Sequence, residues 1–395
     1  MSASKDSNIG VIGAGLRSYL MKYAHKLGQG WRVSACADVR NEALDAFQTK
    51  FGKDVTVTND YREILADPEI KAVFILSPDY CHEEHAVAAL NAGKHVYLEK
   101  PMAITIDGCD RILKAAYKNN AKIYIGHNMR HMSFVLKMRE LIGQGVIGKV
   151  KTAWCRHFIS YGGDAYFKDW HAERAKSTGL LLQKAAHDID VMHWFCRGYT
   201  RQVVGFGDLT LYDQISDRHS PSEPGDASWS AENWPPLSLK QLNPVIDVED
   251  ISLMLMRFDN GVLGSYQQCH FAPDAWRNYC VIGTHGRIEN FGDEPGKCVI
   301  KLWNRRSGYN PDGDEQFVIS EEDGGHGGAD PKIVAEFLNY IENGTKITTS
   351  PIAARYSVAA GYLATQSLRN GGKPMEVPPL PAELENYFNQ DVLEK

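Results

Sequence analysis

A short apolar run, residues 9–12, breaks directly into Gly13-Ala14-Gly15 and then into a segment with helical patterning. No other feature restricts the fold as much. A glycine turn between a strand and a helix lets backbone approach a ligand, and the amides that open a helix have no partner within it, so they can hold an anion. Gly13 permits the turn, Gly15 permits the approach, and Leu16 and Arg17 come next at its mouth. The third fingerprint position is Ser18 rather than glycine or alanine, so the turn is read together with its context. Asp38 ends the next β-branched run about twenty residues on, where a carboxylate accepts both ribose hydroxyls of an adenosine; Arg40 stands two residues further. The pair of signals points to a dinucleotide, and the carboxylate points to NAD.

From residue 9 to about 126, strand-like runs at 9–12, 31–37, 72–76, 95–98 and 122–125 alternate with helical patterns at 83–92 and 106–118. That alternation is the pattern of a parallel sheet with crossover helices. Beyond residue 132 the texture changes. Runs at 150–158, 251–258, 262–270, 279–283, 287–290 and 298–303 are separated by Asp-Asn-Gly, Gly-Thr-His-Gly and Asp-Glu-Pro-Gly turns, the pattern of an antiparallel sheet. The expectation is an α/β Rossmann domain over residues 1–125, an α+β domain with a large, mainly antiparallel open sheet over 126–375, and a tail over 376–395. Asp330-Pro331 is expected to open the last clear helix, as N-cap and first helical residue. The Ser-, Pro-, Asp- and Trp-rich stretch 220–243 reads as a lid or contact surface.

A formal charge of −6 over 395 residues, with the basic residues scattered, lacks the footprint of a nucleic-acid or anionic-membrane binder. A small molecule is the expected partner. No run reaches the length of a membrane span, and the start lacks a signal-peptide core, so a cytoplasmic protein is expected. Cys36, Cys81, Cys109, Cys155, Cys196, Cys269, Cys280 and Cys298 lie far apart without Cys-x-x-Cys or zinc-finger spacing, and read as reduced core residues with no metal site.

Ser77-Pro78-Asp79-Tyr80-Cys81-His82, then Ala92-Gly93-Lys94 and the run that ends in Glu99-Lys100-Pro101, carry a family resemblance. With these residues, and with Gly126-His127-Asn128-Met129-Arg130, residues 145–150 and 181–190, the chain resembles the Gfo/Idh/MocA oxidoreductases over most of its length. The resemblance implies a nicotinamide cofactor on the first domain, contacted by Ser77, Pro78, His82, Glu99, Lys100 and Asn128 besides the glycine turn. It also implies that Lys100 reaches the substrate, that His187 is an acid/base, and that the substrate is a sugar or polyol. A homo-oligomer, dimer or tetramer, is expected on the same ground.

The family's common form carries Asp four residues before the histidine, where this chain has Gln183. An amide orients a hydroxyl but cannot take its proton. Gln183 and Lys184 each share a helix face with His187, at four and three residues, so both are candidates for the site, and Lys184 is equally suited to pairing with Asp188 or Asp190. Ahead of them, the aromatic and polar stretch 161–174 offers Tyr166, Trp170 and His171 as carbohydrate contacts, with Arg130 as a further substrate contact. Net oxidation of a secondary hydroxyl is the leading expectation. The alternative is an NAD-dependent glycoside hydrolase that oxidises, eliminates, adds water and reduces again; a non-catalytic NAD sensor is the third reading, opposed by Lys100 and His187.

Overall fold

The computed structural model describes residues 6–28, 30–221, 225–320 and 322–393. The chain divides into two compact units: Met1–His131 with Gly324–Arg355 and Leu380–Lys395, and Met132–Asp323 with Tyr356–Pro379. The units are therefore not colinear with a cut at residue 125, because two late segments return to the first.

The first unit is built on β1 (Ser7–Ile12), β2 (Trp31–Ala37), β3 (Thr56–Thr58), β4 (Ile70–Ile75), β5 (His95–Leu98) and β6 (Ile123–Ile125). All pairs are parallel and the order is β3-β2-β1-β4-β5-β6, the doubly wound Rossmann arrangement. The three-residue β3 escapes the sequence reading because it offers too few residues to show a period. Gly93 closes the helix His82–Asn91 in a left-handed conformation, as its position implies. The late segment returns because Ile333, Val334 and Phe337, all fully buried, join the core of Ile9, Val11, Phe74, Tyr97 and Tyr124. Phe337 meets Phe74 edge-on at 5.2 Å, and removing such a ring from a closed core costs roughly 3–5 kcal/mol.

The second unit holds β7 (Val150–Phe158), β8 (Thr200–Asp208), β9 (Ile251–Phe258), β10 (Leu263–Cys269), β11 (Trp276–Gly283), β12 (Arg287–Phe291), β13 (Val299–Trp303), β14 (Glu315–Val318) and β15 (Met375–Glu376) in one sheet. Only β7 and β10 pair in parallel; the rest are antiparallel. The helix Ala185–Cys196 is buried along its whole length, as a helix apolar on most sides must be. Stretch 220–243 is anchored rather than loose: Leu239 and Leu242 enter a core with Ile159, Phe167 and Tyr212, and Asn233 donates to Asp164 at 2.6 Å. Its two tryptophans, Trp229 and Trp234, are exposed, and residues 222–224 lie outside the described residues. All eight cysteines are free thiols, six of them buried. Among the described residues, no helix is long and apolar enough to cross a membrane.

Candidate active site

The glycine turn packs tightly where the sequence says it must. Gly13 has φ +100°, and a Cβ there would lie 2.7 Å from the backbone of Leu76 and Ser77 at the end of β4. Beside Gly15 the nearest atom to an added Cβ is Arg40 Nη2 at 3.9 Å, so that face is open. The turn leads into a 3-10 turn, Leu16–Leu20, before the short helix Met21–Ala24. Exposed amides rather than a macrodipole carry the anion affinity of such a turn. Asp38 holds the turn from the side: one carboxylate oxygen accepts the Ala14 amide at 2.8 Å, and the other accepts the Arg40 amide and Nε at 2.9 and 3.2 Å. Leu16 is fully extended into solvent. A close-packed first glycine, an open second one and a carboxylate at the end of β2 fit an adenine dinucleotide.

Several residues expected to touch ligand also hold the frame. His82 is fully buried, with its two ring nitrogens at 2.7 and 2.9 Å from the carbonyls of Pro101 and Ser77, while Ser77 Oγ meets His85 at 2.9 Å. Pro78 opens the short turn Asp79–Cys81 that leads into the helix of His82. Arg130 is buried and donates to the Thr348 carbonyl at 2.7 Å. Arg17 reaches Glu99 at 2.7 Å and Asp330 at 3.4 Å, and Glu99 also accepts from Tyr97 and from the Lys100 amide. Asn128 donates to Asp330 at 3.2 Å.

Asp330 corrects a second expectation. It does not serve as a helix cap; its buried carboxylate takes Tyr19, Asn128, Arg17 and, at 2.9 Å, His326. The backbone allows this because His326, Gly327 and Gly328 are all left-handed ahead of it. Burial alone would raise the Asp330 carboxyl, but His326 and Arg17 hold it well below the usual range. The glycines beside His326 are the signal that a regular helix start is absent there.

In the second unit, the helix Leu180–Gln183 runs through Lys184 into Ala185–Cys196, so Gln183, Lys184 and His187 sit on consecutive turns, each at most 8% exposed. Asp188 fixes this end of the helix to the sheet. Fully buried, it accepts from Arg277 at 2.9 Å, His157 at 2.9 Å, Tyr266 at 3.0 Å and Tyr279. Burial would raise its carboxyl, yet Arg277 and His157 keep it far down, and burial together with Arg277 lowers His157 to about 3. Asp188 is therefore committed elsewhere, and the ion pair anticipated between it and Lys184 does not form.

Lys184 Nζ lies 3.0 Å from the Tyr161 hydroxyl and over the Tyr161 and Tyr166 rings, at 5.2 and 5.3 Å from their centroids. Burial, then the like charge of Arg277, brings its ammonium down to about 7. Tyr166 meets His171 and His270 edge-on, and His171 stacks on Trp170 at 3.7 Å with Nδ1 held by Asp169 at 2.5 Å. The predicted residues Tyr166, Trp170, His171 and Lys184 are thus neighbours. Arg277 and His270 carry no signal of their own in the sequence, because only folding brings β10 and β11 to this segment, whereas Tyr161 opens the stretch 161–174 without being singled out there.

Residues 7–127 match the Gfo/Idh/MocA oxidoreductase family's NAD-binding Rossmann fold, and residues 139–377 match its C-terminal alpha/beta domain. The chain belongs to this family, and NAD is the cofactor its first domain binds. YteT of Bacillus subtilis (strain 168), named as an oxidoreductase, is 27% identical over 75% of this chain and 78% of its own length. Inositol 2-dehydrogenase of Salmonella typhimurium (strain LT2) is 29% identical over 47% of this chain and 53% of its own. Levoglucosan dehydrogenase, solved with NADH and levoglucosan, shares the fold with a TM-score of 0.76 and 20% identity over 95% of this chain and all of its own.

Proposed function

We propose that this NAD-binding oxidoreductase oxidises a secondary hydroxyl of a sugar, polyol or glycoside. The observation that carries the reading is the family match over both domains, with Lys100 at the carboxyl end of β5 and His187 near the start of a buried helix. Ligands of open α/β sheets gather at the carboxyl ends of the strands. NAD, when bound, supplies the hydride acceptor.

Lys100 stabilises negative charge developing on the substrate oxygen, and His187 takes the hydroxyl proton. Gln183 orients a hydroxyl, while the aromatic rings of Tyr166, Trp170 and His171 suit the apolar face of a sugar ring. The names of the relatives, inositol 2-dehydrogenase and levoglucosan dehydrogenase, favour net oxidation over the redox-neutral hydrolase. The test offers myo-inositol, levoglucosan, hexoses, uronic acids and their aryl glycosides with NAD, following NADH absorbance and aglycone release together. NADH formed from at least one hydroxyl compound supports the proposal; aglycone release over many turnovers with no NADH overturns it in favour of hydrolysis.

A further inference from the structure

The second unit buries a cation without a counter-ion. Lys184 is 7% exposed, its nitrogen has the Tyr161 hydroxyl as its polar neighbour, and among the described residues no carboxylate lies within ion-pair distance of it. Buried charges are ordinarily paired. Asp188, the nearest acid on the same helix, is committed to Arg277 and His157. Tyr161 is half-buried, and its hydroxyl accepts from the buried amine at 3.0 Å. Next to them His270 is fully buried, and neither ring nitrogen has a hydrogen-bond partner among the described residues.

Resting on the oxidation reading above, we propose that Tyr161 and Lys184 form a second acid–base unit, in which the Tyr161 hydroxyl exchanges the substrate's proton and Lys184 stores it. The pair stands where the family's common carboxylate is replaced by Gln183, which cannot accept a proton. In the oxidative direction, the substrate hydroxyl proton taken by His187 passes on to the Tyr161 oxygen as that phenol hands its own proton to neutral Lys184. NAD, when bound, would supply the acceptor for the carbinol hydrogen and its electron pair. One carbonyl, one reduced cofactor and one ammonium result, and the ammonium releases its proton to water.

The groups that set the pair's proton affinity come from every neighbouring element: Arg277 of β11, His157 of β7, His270 after β10, Asp188 of the helix Ala185–Cys196 and Asp293 after β12. Burial and then the like charge of Arg277 bring Lys184 to about 7, against roughly 10.4 for an unperturbed lysine. An amine with that midpoint is a proton acceptor at neutral pH.

The full-length protein labelled with 13C-lysine is titrated by NMR, in wild type, Lys184→Met and Tyr161→Phe, with no substrate added. The expected result is one lysine titrating near pH 7, missing in Lys184→Met, and with a lower midpoint in Tyr161→Phe because the phenol no longer accepts from the ammonium. On whichever probe carbohydrate the wild type oxidises, Tyr161→Phe should lower kcat roughly a hundredfold with KM little changed. A Lys184 that titrates with the bulk lysines, or that ignores Tyr161→Phe, overturns the pairing; so does a Tyr161→Phe enzyme with wild-type kcat. A coupled pair in a protein that oxidises none of the probes would sink the oxidation reading and leave the pair standing.

Discussion

The two units each hold a cation near candidate site residues, Arg17 partly exposed and Lys184 buried, and they treat it in opposite ways. Arg17 in the first unit faces two carboxylates, Glu99 and Asp330, which hold its guanidinium charged against the burial that opposes it. Lys184 in the second faces a phenol and two aromatic rings, with Arg277 adding like charge. A compensated cluster keeps its protons over the whole working pH range and so makes a frame: Glu99 fixes the backbone beside Lys100, and Asp330 gathers Tyr19, Asn128 and His326. An uncompensated one is unstable in its charged form and gives its proton up. Frame and proton store are thus separated by whether a carboxylate was supplied.

The largest effects should come from the groups assigned to chemistry. Lys100→Ala and His187→Ala are each expected to lower turnover roughly a hundredfold to ten-thousandfold while NAD affinity stays near wild type, read by steady-state kinetics and cofactor titration. Retained turnover in a folded variant would remove that residue from the mechanism.

Breaking the compensated cluster should act on folding. Arg17→Met leaves the buried Glu99 carboxylate without its cation and Asp330 with His326 as its partner cation, and is expected to destabilise by roughly 3–5 kcal/mol in denaturant unfolding. Since the Asp330 carboxyl is depressed in the folded state, its contribution is present above the ordinary carboxylate range and is lost as pH falls toward the folded value. The acid limb of the stability curve should therefore move to higher pH in Arg17→Met. An unchanged midpoint and acid limb would mean the cluster is ornament.

The uncompensated cluster should respond with the opposite sign. Lys184→Met removes a charge the fold solvates poorly and is expected to stabilise by on the order of 1–4 kcal/mol. The sign comes from linkage: with the folded value near 7, the unfolded chain binds more protons between that pH and about 10.4, so wild-type stability rises with pH across this window. The gain from Lys184→Met should accordingly be greater at pH 6 than at pH 9. A variant destabilised at pH 6 would show that Lys184 is a structural cation after all.

The smallest effect concerns an exposed pair of the same kind. Asp38 accepts from Ala14 and from Arg40, whose guanidinium is 58% exposed. NAD(H) is expected to bind at least about tenfold more tightly than NADP(H), roughly 1.4 kcal/mol, because the Asp38 carboxylate repels a 2′-phosphate. Equal affinities would assign that end of the site to Arg40.

Local signals explain how much of the fold and site is legible in the sequence. Gly13 and Asp38 announce a turn and a strand end because each acts within its own few residues, and the period-2 runs of β9 and β10 report one buried face. The return of residues 324–355 to the first unit is not legible, since Ile333, Val334 and Phe337 look like any amphipathic stripe until a partner face is known. Asp330, with proline next to it, mimics an N-cap, and its true partners Arg17 and Asn128 lie more than two hundred residues away. Lys184 is visible as a candidate, but its lack of a carboxylate is not: that fact depends on Arg277 and His157 claiming Asp188 first.

Oxidation of a carbinol carbon by this chain is tested most directly through its stoichiometry. With a responsive carbohydrate deuterated at its secondary carbinol carbons, excess NAD and quantified carbonyl product, one NADH should form per carbonyl, with the deuterium recovered at the nicotinamide. Product that accumulates over many turnovers without matching reduced cofactor, and with solvent hydrogen in place of deuterium, would contradict it.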